Sequence, residues 1–117
     1  MAVAPKNFKL RADQIKPIAK GHGSCVATDM ITVRGMKVGF MYRQEPTNRF
    51  DSGWTFTAGI ESQAYMDAVG NHGIYDVNTI ANYDPDIIPF LEEPTGSAYE
   101  RNRSTGLFIP VDFEPPD

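Results

Sequence analysis

The 117-residue sequence is poor in the residues that staple or metallate small domains. A single cysteine, Cys25, rules out an intrachain disulfide. With only His22 and His72 beside it, a four-coordinate zinc site would need a carboxylate to complete it. No apolar run is long enough to span a bilayer, and Lys6, Lys9, Arg11, Lys16 and Lys20 interrupt the stretch that a secretory signal would require. A glycine-rich phosphate cradle, a serine elbow and a paired-histidine motif are all missing, so no familiar catalytic kit is visible. What remains is the profile of one cytoplasmic domain with its own core, no cofactor and no membrane partner. At this length folding buries roughly 60–70% of the surface that the unfolded chain exposes.

Positive charge is missing from one long stretch, since no Lys or Arg lies between Arg49 and Arg101. Cut after Phe50, the chain divides into a half of charge +6 and a half of charge −10, giving the net −4. A sequence pI near 5.1 argues against a nucleic-acid partner, because a phosphate backbone would be repelled from most of the molecule. The asymmetry has two readings. Either the halves neutralise each other on folding, or an acidic face steers a basic partner toward the protein.

Turn residues and hydrophobic spacing suggest an α+β fold, a bent antiparallel sheet with several short helices. Phe8, Ile15, Ile18 and Ala19 fit a weak amphipathic helix over 7–20, which makes 1–20 a helical arm before a core over 21–111 and an acidic tail over 112–117. Apolar residues over 24–33 and 38–43 read as two strands joined by a turn near Arg34-Gly35, and Trp54-Thr55-Phe56-Thr57 alternates like a third. Short helices are expected over 62–69, over 76–83 capped by Asp76 or Asn78, and after Asp84-Pro85-Asp86. Gly73 to Asp76 reads as a strand, and Ser97–Arg101 with Leu107–Val111 as a closing hairpin. The expected core holds Val38, Phe40, Trp54, Phe56, Ile74, Ile80, Ile87, Leu91 and Phe108.

Three constellations invite chemistry. His22, Cys25 and Asp29 contain the residue types of a nucleophile, a base and an orienting carboxylate, although a lone cysteine at a strand start is more often a small core residue. Asn82, Asp84, Asp86 and Glu93 have the spacing of calcium-loop ligands, but Ile87 stands where the sharp turn needs glycine, and helix capping explains the same residues. Tyr75, Asp76, Asn78, Asn82, Tyr83 and Asp84 form a polar cluster. It would line a small-molecule or catalytic pocket if these side chains converge, and would be structural if they bond to backbone.

Several blocks resemble one family. They are Gly23-Ser24-Cys25-Val26-Ala27-Thr28-Asp29, Val38 to Pro46 (VGFMYRQEP), Asp51-Ser52-Gly53-Trp54, Ile74 to Pro85 (IYDVNTIANYDP) and Pro94 to Arg101 (PTGSAYER). Together they resemble the immunity protein 33 group of bacterial polymorphic toxin systems, with Gln44 and Phe40 as mild departures from its pattern. The resemblance implies a non-catalytic protein that binds and neutralises a protein toxin, and it carries no catalytic residues across. If that toxin is basic, the partner surface expected from charge and aromatic content includes Asp51, Trp54, Glu61, Tyr65, Asp67, Asp84 and Asp86.

Overall fold

Six strands hydrogen-bond into one open sheet in the order β4-β1-β3-β2-β5-β6 in the computed structural model, which describes residues 6–115. They are β1 (Ser24–Thr28), β2 (Phe40–Arg43), β3 (Asp51–Thr57), β4 (His72–Asp76), β5 (Ala98–Arg101) and β6 (Phe108–Pro110). Helices α1 (Asp29–Thr32), α2 (Gln63–Asp67) and α3 (Val77–Tyr83), with 3-10 turns at Ala12–Gln14, Val69–Asn71 and Pro85–Phe90, complete the α+β arrangement. The hairpin β5–β6 forms as expected.

The sheet is mixed, because β1 pairs in parallel with β3 while the other neighbours run antiparallel. The expected pairing of 24–33 with 38–43 therefore does not occur. Residues 29–32 wind into one helical turn instead of extending the strand, with the Val33 and Gly35 amides donating back to the Asp29 and Ile31 carbonyls. Gly35, at φ +76°, ends that turn in the left-handed region. The displaced chain then enters β2 on the far side of β3.

Alternation divides the strands into two faces. Cross-strand partners Ala27, Phe56, Met41 and Tyr99 turn inward, and Cys25 follows on β1. Above them pack Ile31, Val77, Ile80, Ala81, Ile87 and Leu91 from the helical segments. Each fully buried side chain of Ile, Leu or Phe size contributes about 1.5–3 kcal/mol. Trp54 lies in this core, and its indole N–H donates to the Leu91 carbonyl at 3.0 Å. The opposite face carries Ile74, Val26, Thr55 and Tyr42 in one cross-strand row, and Thr57, Phe40, Glu100 and Ile109 in the next.

Two expected core residues are thereby corrected. Ile74 is 76% exposed, because β4 turns Gly73 and Tyr75 toward the core and Ile74 away from it. Phe40 is half-buried on the opposite face for the same reason, being one residue out of phase with Met41.

The Asp51-Ser52-Gly53-Trp54 block is a bulge in β3, since Ser24 and Val26 of β1 face Asp51 and Thr55. Gly53 takes φ +87°, and a Cβ there would come 2.1 Å from the Gln44 carbonyl oxygen. Asp51 accepts from the Gly53 amide and Ser52 Oγ from the Trp54 amide, so the bulge's freed donors are satisfied by its own side chains.

The expected N-terminal helix is overturned over the described residues, where only the turn at Ala12–Gln14 forms. The reason lies in α3. Asn78 Oδ1 accepts from the Ile18 and Ala19 amides, and Asn82 Oδ1 accepts from the Lys16 amide. Those amides are held by side chains and cannot serve a helix, and Pro17 between them has no donor to give. Residues 1–5 of the arm and 116–117 of the acidic tail lie outside the described residues.

Candidate functional site

The core face is sealed by helices, so the opposite face of the sheet is where a surface site forms. A groove of about 680 Å³ runs across it, floored by Phe40, Tyr42 and Thr57 and bounded by Glu61, Met66, Glu100, Arg103, Ile109 and Phe113. Phe113, from the segment after β6, folds back onto the sheet. Its ring centroid lies 4.9 Å from that of Phe40 and 4.7 Å from that of Tyr42. Such spacings are those of attractive edge and tilted aromatic contacts. The three rings remain partly exposed.

Glu61 shapes one rim and is not free to act as an open charge. Its carboxylate accepts from the amides of Ala58, Gly59 and Ile60 at 2.7, 2.9 and 3.1 Å, and also from the Thr28 hydroxyl. That clamp fixes the turn leading into α2, which Ser62 caps by accepting from the Tyr65 amide. Glu100 differs. It stands on β5 between Phe40 and Ile109 in register, exposed, and it makes no ion pair or side-chain hydrogen bond among the described residues.

The partner surface expected from the sequence is dispersed by the fold. Trp54 and Asp84 are buried, which corrects their placement on a contact surface. Asp84 accepts from the Val38 and Asp86 amides and pairs with Arg101, an arrangement that caps the Pro85–Phe90 turn from inside. Asp51 and Glu61 flank opposite ends of β3, whose bulged length matches the four steps from Ser24 to Thr28, roughly 13 Å at strand rise. Burial alone would raise the Asp51 carboxyl, but hydrogen bonds from Thr47 and Gly53 outweigh it and hold the group below its ordinary range. Tyr65 is pushed up by burial and by the nearby Asp29 and Glu61 carboxylates. Asp67 accepts from Gln63, and Asp86 pairs with Arg101 at 3.0 Å and Lys37 at 4.0 Å. Of the seven residues, only Glu61 borders the groove.

Most of the polar cluster over 75–84 is bonded to backbone, the exceptions being Tyr75, whose hydroxyl lies 3.5 Å from that of Thr32, and the Arg101 side of Asp84. Asn78 and Asn82 both donate to the Lys16 carbonyl, Tyr83 donates to the Thr32 carbonyl and accepts from the Leu10 amide, and Asp76 caps α3. A hollow of about 230 Å³ is lined by Ile15, Pro17, Lys20 and Gly21 together with Asp76 and Asn78 of the cluster. The calcium-like set does not converge either. Asn82 holds the arm, Asp84 faces Arg101, and Glu93 accepts from the Tyr99 hydroxyl. Cys25 is buried beside Tyr75, and burial, with the Asp76 and Asp51 carboxylates adding to it, pushes its thiol far up. Asp29, its imagined orienting carboxylate, is paired with Lys6 at 2.8 Å.

The sheet order interleaves strands of the basic and acidic halves, yet few ion pairs join them. Among the described residues only the Lys37–Asp86 pair joins the two halves, and the other ion pairs lie within one half. Neither Glu100 nor Phe113 carries a sequence signal that marks it as a site residue, and Phe40 and Tyr42 carry one only as aromatics of the basic half. The alternation over 38–43 does place Phe40 and Tyr42 on one face, but it does not say which face the helices cover.

The family model for the immunity protein Imm33 domain matches residues 25–112. The chain belongs to this family. The match runs from inside β1 past β6, so the sheet, the bulge, the polar cluster and most of the groove belong to the Imm33 domain. No curated protein and no solved structure matches the chain.

Proposed function

We propose that this Imm33 protein is a non-catalytic immunity protein that binds a bacterial protein toxin and neutralises it, acting in the cytoplasm of the cell that makes it. The carrying observation is the family match over residues 25–112. Physical support comes from the negative charge of the residues after Phe50. The exposed carboxylates Asp67, Asp76, Asp86, Glu92 and Glu100 lie in a stretch without any Lys or Arg before Arg101, which favours a basic partner through long-range attraction. The competing small-molecule reading over 75–84 is disfavoured, because the side chains of Asn78, Asn82 and Tyr83 are already bonded to the backbone of the arm and α1.

The test pairs capture with rescue. Tagged protein is used to isolate its partner from lysate of its own bacterium under a high-salt wash, and the partner is identified by mass spectrometry. That partner is then expressed in a heterologous host with and without the Imm33 protein. Restored growth together with a one-to-one complex supports the proposal. A toxic partner whose toxicity is unchanged by the Imm33 protein would overturn it, as would a captured protein that is harmless on its own.

A further inference from the structure

Most charged side chains around the sheet are already satisfied, and the exceptions indicate what the open face can take. On the core side the Arg43 guanidinium donates to the Ser52 and Glu93 carbonyls. Arg101 donates to the Val38 and Gly106 carbonyls and pairs with Asp84 and Asp86. Arg101 is the immediate neighbour of Glu100, and strand alternation sends the two side chains to opposite faces. Among the described residues Glu100 makes no ion pair, although Arg101 and Arg103 also line the groove, and its neighbours across the strands are Phe40 and Ile109, with Tyr42 and Phe113 beside them.

A carboxylate beside partly exposed aromatic rings is complementary to a cation with a long apolar stem. The ring faces carry negative electrostatic potential, the carboxylate supplies a charge-assisted acceptor, and the stem covers apolar surface. We infer that the groove is a docking site for an extended segment of a protein partner, which lays one arginine or lysine side chain across Tyr42 and Phe113 onto Glu100. This rests on the toxin-binding reading and names its contact. Glu61 is held by backbone amides and Arg101 by the Asp84 and Asp86 carboxylates and backbone carbonyls, so the open charges at the groove are Glu100 and, toward Gly59, Arg103. Arg103, at the end nearest Gly59, limits the groove to a single cation instead of a polybasic run.

The test uses defined probes and the intact protein. N-acetylated Leu-Arg-Leu amide and Leu-Glu-Leu amide are titrated at millimolar concentration into isotope-labelled protein, with amide resonances as the readout. The arginine peptide is expected to shift the signals of Phe40, Tyr42, Glu100, Ile109 and Phe113, and the glutamate peptide is not. Glu100→Gln is expected to weaken the arginine peptide about 10-fold, as loss of an interfacial charge partner does. Phe113→Ala, in an exposed segment outside the core, is expected to weaken it as well. Equal shifts from both peptides, shifts centred elsewhere, or unchanged affinity in Glu100→Gln would overturn the inference. So would a dimer that forms through this face and is lost in Phe113→Ala, since the occupant would then be a second copy.

The rescue assay separates this inference from the broader proposal. If the wild-type protein protects against its toxin and a folded Glu100→Gln/Phe113→Ala variant protects equally at limiting expression, the groove assignment fails while the immunity role stands. If the wild-type protein does not protect, the immunity role fails and the peptide titration alone decides the groove.

Discussion

Removing the Asp84 carboxylate tests the internal polar anchor of the fold. Asp84 is 0% exposed and holds three donors: the Val38 amide at 2.9 Å, the Asp86 amide at 3.1 Å and the Arg101 guanidinium. In Asp84→Ala the Val38 N–H is left buried without an acceptor and Arg101 loses its buried counter-ion. Breaking a buried pair from one side costs about 3–5 kcal/mol. Arg101 keeps Asp86 and the Val38 and Gly106 carbonyls, which places the expected loss near ~3 kcal/mol, at the low end of that range. For a domain of this size that is a fall in Tm of roughly 10–15 °C. Asp84→Asn keeps one acceptor oxygen, but the Val38 and Asp86 amides bond to different carboxylate oxygens, so one of them then faces the new NH2 group, and the change should cost about 1–3 kcal/mol. Urea unfolding followed by the fluorescence of the buried Trp54 measures both. A loss below about 1 kcal/mol in Asp84→Ala would refute the reasoning, because it would mean that the stranded donors find other partners at little cost.

Two further outcomes follow from the hydrogen bonds described above. Asn78→Ala removes one acceptor shared by the Ile18 and Ala19 amides and a donor to the Lys16 carbonyl, so it should destabilise the protein by about 1–3 kcal/mol and speed hydrogen exchange at Ile18 and Ala19. Exchange confined to its wild-type rate would show that the arm is held by something else. The Asp51 carboxyl titrates below its ordinary value of 3.8, so the stability it contributes is complete above that value and is lost as the pH falls through the lower folded value. Asp51→Asn should therefore be less stable than wild type at pH 6, with the gap closing as the pH falls below the ordinary value of 3.8 and the wild-type carboxyl protonates. A gap independent of pH would assign the effect to shape rather than charge.

Local chemistry made several elements legible from the sequence. Asp76 and Asp84 cap the segments they were expected to cap, because a short carboxylate reaches the amides two residues on whatever the rest of the fold does. The β5–β6 hairpin and the buried set around Trp54, Phe56, Ile80 and Leu91 were readable for the same reason, through turn residues and spacing. Family membership was legible too, since the DSGW and YDVNTIANYDP blocks carry specific side chains for a bulge and for an arm clamp.

Tertiary structure alone decided the rest. Alternation in β2 and β4 marks two faces but gives neither a sign, so the exposure of Ile74 and the turning of Phe40 and Tyr42 into the groove depended on where the helices pack. The parallel β1–β3 pair arose from one turn of helix at Asp29–Thr32, which no strand propensity within 24–33 could announce. The amphipathic spacing over 7–20 lost to two asparagines some sixty residues away, Asn78 and Asn82, whose side chains capture the backbone that a helix would need. The acidic surface shows both limits together. Composition determined that the excess of negative charge exists, and only the fold decided that Asp84 is spent inside the protein while Glu100 stands unpaired among aromatic rings.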